Sequence, residues 1–160
     1  MELVVRQNNN VSIRDKIASL QASMEELPKE VTISAKESDE NFVSHFFAPG
    51  VYVRQIKIPA GMVVVGKIHK TKHVSIISCG IVTVVTENGQ ETIHAPHTFI
   101  NEPGEKRALY THTDTVWTTI HPTEETDLEK IEDLVIAKDY NDPVLLAYNE
   151  TLLIEKDNKQ

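Results

Sequence analysis

One cysteine among 160 residues, Cys79, leaves the chain without an internal disulfide, which suits a reducing compartment. Placed at the end of an apolar run and just before a glycine, it reads as a small buried hydrophobe. Long apolar runs are missing too. None approaches the ~18 residues of a membrane span, and the N-terminus MELVVRQNNN lacks the basic-then-apolar layout of a secretory signal. The six glycines are scattered singly, so no glycine-rich loop is available to cradle a phosphate. There is no G-x-S-x-G elbow for nucleophilic catalysis. A basic stripe is absent as well. The net charge is −8, and from Pro122 onward 11 acidic residues face 4 basic ones. Binding that tracks a phosphate backbone is thereby excluded.

What is present centres on Gly61–Gly80, GMVVVGKIHKTKHVSIISCG. Two alternating apolar runs flank a polar hinge, with a glycine at each end, which predicts a hairpin of strands. His69 and His73 lie four apart across that hinge, so both can face one cavity. Around this stretch, about eight short apolar runs fall in seventy residues. Val51–Ile58 precedes it, and Ile81–Thr86 and Gln90–His94 follow, joined by Asn88-Gly89, a strong hairpin signal. His97–Ile100, Arg107–Thr111 and Thr115–His121 complete the set. The pattern predicts a mainly β sandwich or barrel. A chain of this length forms one domain that buries roughly 70 % of its unfolded surface.

Helices are expected at both ends. Ser12 and Asp15 make a capping pair before Ile13, Ile17, Leu20, Met24 and Leu27, one apolar stripe closed by Pro28. The stripe is buried either against the barrel or against another subunit. Thr126 with Glu129 predicts a capping box for a short helix over Asp127–Ala137. The division is an N-terminal arm and amphipathic helix over 1–30, a barrel over 31–122, and a short helix with an acidic C-terminal arm over 123–160. Phe42, Phe46 and Phe47 read as core.

The central stretch resembles the first motif of the cupins, G-x5-H-x-H-x3-E-x6-G. Laid on Gly61, that motif puts Lys67 at the first histidine, His69 at the second, His73 at the glutamate and Gly80 at its close. The second motif, G-x5-P-x-G-x2-H-x3-N, matches poorly: on Gly104 its histidine is Arg107, its proline Glu102 and its asparagine Thr111. The resemblance implies a jelly-roll barrel whose four metal-holding positions are Lys67, His69, His73 and Arg107. Lysine and arginine repel a divalent cation rather than ligate it. A metal on His69 and His73 therefore needs a third ligand, for which His94, His97, His112 and His121 are candidates, and no cofactor is otherwise expected. If Val63 and Val65 face the interior, Lys67 and Arg107 either hold an anion there, receive an acid such as Glu102 or Asp114, or reach out to surface partners.

A narrower resemblance, carried by GKIHK (66–70), APHTFINEPGEKR (95–107) and DTVWTTIHPTEETDLEKIE (114–132), is to small cupin-like proteins of tailed bacteriophages. It implies a non-catalytic structural or assembly component of the particle. Its partners would be further copies of itself, as a trimer, and other virion proteins, with no direct nucleic acid and no membrane. Its location would be the host cytoplasm during assembly and then the virion. The alternatives are a metal-dependent cupin enzyme, an isomerase or dioxygenase, and a small anion or sugar-phosphate binding module.

Overall fold

The computed structural model describes residues 12–26, 32–33 and 42–157. The polar arm, Leu27 with Pro28, and the last three residues lie outside them. In chain order the elements are α1 (Ile13–Glu25), β1 (Thr32–Ile33), β2 (Val43–Ala48), β3 (Val51–Ile58), β4 (Val63–Val65), β5 (Ile68–His69) and β6 (His73–Cys79). There follow β7 (Ile81–Thr86), β8 (Gly89–His94), β9 (His97–Asn101), β10 (Ala108–Thr111), β11 (Thr115–Pro122), α2 (Leu128–Val135), β12 (Ile136–Ala137) and α3 (Pro143–Asp157). Two five-stranded sheets form, in the orders β1-β4-β10-β7-β8 and β2-β3-β11-β6-β9. From β6 to β11 the chain passes repeatedly between the sheets, which makes the fold a jelly-roll barrel. The inner faces meet in a core of Ile56, Ile58, Val64, Ile77, Val82, Val84, Leu109 and Trp117.

Strand parity near the centre differs from the expectation. Val64, not Val63 and Val65, points into the barrel core, while Val65 packs outward with Ala108 beneath Ile17 and Met24 of α1. The chain then leaves the sheet at Gly66, whose N–H donates to the Arg107 carbonyl at 2.9 Å. β5 pairs instead with β12, Ile136 opposite His69 and Ala137 opposite Ile68. That irregularity resets the alternation, and His69 reaches the cavity from β5.

The helices hold the ends. Ser12 caps α1, its hydroxyl accepting from the Asp15 N–H at 3.1 Å. One side of the stripe, Ile17 and Met24, is buried on the barrel, and the other, Ile13 and Leu20, is exposed. α2 is capped by Asp127, not Thr126: its Oδ1 accepts from the Glu129 and Lys130 N–H groups. It stops at Val135 because Ile136 and Ala137 turn away to pair with β5. The expected C-terminal arm contains a fifteen-residue helix, α3, anchored through Leu145 against Ile68 and Ala137.

Two further expectations are corrected. Phe42, Phe46 and Phe47 are exposed, because β2 is an edge strand that reaches the core through Val43; Phe47 stacks on Tyr52 at 5.4 Å. Cys79 is exposed as well. By parity it follows buried Ile77, but a register shift opposite Val116 and Trp117 intervenes, and the strand has left the core by then.

Candidate metal centre

Three histidines converge at one end of the barrel. His73 opens β6, His69 closes β5, and His121 lies near the end of β11 on the face shared with Trp117 and Thr119. Ring centroids are 4.4 Å apart for His69 and His73, 4.5 Å for His73 and His121, and 5.6 Å for His69 and His121. One nitrogen from each ring lies within 4.8 Å of the others. His73 and His121 are buried and His69 is half-buried.

Their surroundings keep the three rings neutral. Burial holds His69 well below its ordinary value, with His73, His121, Arg107 and Arg54 adding to the effect. Burial likewise lowers His121, to about 3, with help from His73 and Arg54. His73 is lowered by burial despite an opposing hydrogen bond that its ring N–H donates to the Thr71 carbonyl. Three neutral imidazoles at neutral pH are the form that binds a metal. The Thr71 carbonyl lies 3.0 Å from His73 Nδ1. A carbonyl can only accept, so Nδ1 carries the proton and Nε2 keeps its lone pair for a ligand. His121 Nδ1 is buried with no hydrogen-bond partner. Buried polar atoms of that kind call for a ligand or a solvent molecule.

Below the rings a polar network fixes the strand. Ser75 Oγ accepts from Asn101 Nδ2 at 2.7 Å and from Trp117 Nε1 at 3.1 Å, and Asn101 also reaches the His73 carbonyl at 3.3 Å. Above them opens a cavity of about 330 Å³. Ile56, Ile58, Val64, Leu109 and Trp117 line its apolar wall; Arg54, Arg107 and the histidines line the polar one.

The structure splits the pair Lys67 and Arg107. Lys67 lies at the mouth and pairs with Glu132 of α2 at 2.5 Å. Arg107 lies inside, bound to Glu105 at 2.8 Å and set 5.5 Å from the centre of the Trp117 ring. The acids that pair with them are thus Glu132, which lines the cavity, and Glu105, which does not. Asp114 instead accepts from the Ala60 N–H, and Glu102 binds Tyr148 and Lys72 at the surface. Of the four further histidines, only His121 joins the centre, on the face of β11 that Trp117 and Thr119 also take; the pairing of β11 with β6 decides it. Arg54 was not foreseen, since its strand offered no motif.

Similar solved structures include a cupin-2 domain protein from Shewanella frigidimarina, 11 % identical, with 69 % of this chain aligned to 99 % of that one and a TM-score of 0.44. A cupin 2 conserved barrel domain protein from Salinispora arenicola is 12 % identical over 61 % of this chain and 86 % of its own, at 0.43. A predicted oxalate decarboxylase from Thermotoga maritima is 16 % identical over 51 % and 79 %, at 0.42. No protein-family model and no curated protein matches the chain. The architecture is that of a jelly roll, and the chemistry of the site is carried by this chain's own residues.

Proposed function

We propose that this chain is a metal-dependent cupin-type barrel that holds one divalent transition-metal ion on His69, His73 and His121 and works on a small molecule in the adjoining cavity. The observation that carries it is the convergence of three nitrogen donors within 4.8 Å. Three imidazoles form a donor set suited to zinc, copper, iron or nickel, and three protein ligands leave a coordination position open. When bound, such an ion supplies a Lewis acid at the cavity floor. The chain's own residues orient the His73 ring through the Thr71 carbonyl and line the approach. Native mass spectrometry of the full chain, with elemental analysis, tests the reading. One transition metal per chain supports it, and a chain that stays empty after incubation with zinc, iron and nickel salts overturns it.

The second reading, a structural component of a tailed-phage particle that oligomerises and contacts other virion proteins, is favoured by a different observation. α3 leaves Val144, Leu146, Leu153 and Ile154 exposed, the last two at 62 % each. Apolar residues grouped on one surface helix suit burial against a partner. The same mass spectra count subunits, a trimer being the expected form.

A further inference from the structure

The cavity contains two guanidinium groups that the histidine centre does not use. Arg107 is compensated by Glu105, and Lys67 at the mouth by Glu132. Arg54, half-buried on β3, lines the same cavity, and among the described residues no carboxylate lies within ion-pair distance of it. It lines the cavity together with His69, His73 and His121, and Glu132 is the carboxylate whose charge reaches it. His45 is itself occupied with the Tyr52 hydroxyl at 2.8 Å and supplies no negative charge. Arg54 therefore faces the cavity as a positive charge without an ion-pair partner among the described residues. Such a charge away from bulk water is costly unless an anion meets it.

The rest of the lining narrows the anion. A planar guanidinium fork holds a carboxylate through two parallel hydrogen bonds. The opposite wall, Ile56, Ile58, Val64, Leu109 and Trp117, is apolar and strips water from whatever lies against it. A volume of about 330 Å³ falls in the range of small-molecule pockets. We propose that the cavity binds a small monocarboxylate with an apolar body, its carboxylate on Arg54 and its hydrocarbon against the wall formed by Ile56, Val64, Leu109 and Trp117. This site does not rest on the metal reading, because Arg54 belongs to the protein whether or not an ion is bound.

Trp117 is the sole tryptophan, so its fluorescence reports the cavity directly. The experiment titrates the full chain with 4-methylpentanoate, its neutral amide and inorganic phosphate, with and without EDTA. The expected result is a saturable emission change with the carboxylate, unaltered by EDTA, with the amide and phosphate weaker by about tenfold or more. Arg54→Gln should weaken the carboxylate by a similar factor and leave the amide unchanged. Overturning results are no saturable response, an amide as tight as the acid, tighter binding of phosphate, or a response abolished by EDTA, which would assign recognition to the metal. If the Arg54→Gln chain does not fold, the comparison of acid with amide on the native protein still decides.

Discussion

His73 and His121 face one another at 4.5 Å between ring centroids, with ring planes 28° apart, although one opens β6 and the other nearly ends β11. The two strands are hydrogen-bonded neighbours, Val74 opposite Ile120. Sheet register alone therefore brings the two rings together, and His69 is delivered to them from outside either large sheet.

That arrangement predicts equal dependence on all three rings. Replacing His69, His73 or His121 with alanine should each weaken zinc binding by more than the roughly 10–100-fold typical of losing a supporting residue. Competition against a chelator of known affinity measures it. Replacing His97 should change nothing, since its ring lies against Phe99 and not in the cluster. A His121→Ala protein with native affinity would remove His121 from the ligand set.

Acid should destabilise the metal-free protein. The folded chain keeps His121 neutral down to about 3, whereas the unfolded chain takes up that proton near 6.5. Stability is thus full above about 6.5 and is lost as the pH falls toward 3. Each such group removes up to about 1.4 kcal/mol per pH unit, or roughly 3–5 °C in Tm for a domain of this size. Thermal scans between these limits check it. His121→Gln should flatten the slope, and an unchanged slope would contradict the assignment.

Two glycines with positive φ should respond differently to alanine. At Gly80, φ is +102° and an added Cβ would lie 2.5 Å from Thr115 Oγ1 and 2.6 Å from the Asp114 carbonyl. Backbone would have to move, so Gly80→Ala should cost more than about 3 kcal/mol by denaturant titration. Gly61, with φ +79°, has nothing within 4 Å of that position. Its cost should stay near the conformational strain of about 1–2 kcal/mol.

α3 separates folding from assembly. Leu145, 1 % exposed between Ile68 and Ala137, should cost about 2–5 kcal/mol as alanine. Leu153→Glu combined with Ile154→Glu should leave the Tm of a monomer nearly unchanged. If the helix covers a second copy, the same double variant should dissociate the oligomer in native mass spectra. A stable oligomer after both charges are introduced would exclude this surface as the contact.

Much of the barrel was legible because period-two apolarity and turn residues such as Asn88-Gly89 are local signals. His69 and His73 were legible for the same reason, four residues apart across one hinge. His121 was visible only as one of four candidates, since its place depends on which strands become neighbours. Alternation misled at Val63 and Val65 because Gly66 breaks the sheet, and a break leaves no mark in the hydrophobic pattern. It misled at Phe46 and Cys79 because an edge strand and a strand end keep their β-like composition after the core has run out. Arg54 could not be singled out, for an arginine on a strand is usually at the surface; only the neighbours contributed by β5, β6 and β11 make its position unusual.

The pairing of β5 with β12 has one more consequence. The His69 carbonyl accepts from the Gly104 N–H, the Lys70 N–H donates to the Val135 carbonyl, and Ile136 lies opposite His69 itself. One of the three imidazoles is therefore seated by a segment that follows all three histidines in the sequence. A chain cut before Ile136 would keep every histidine of the centre and lose the strand that pairs with the third.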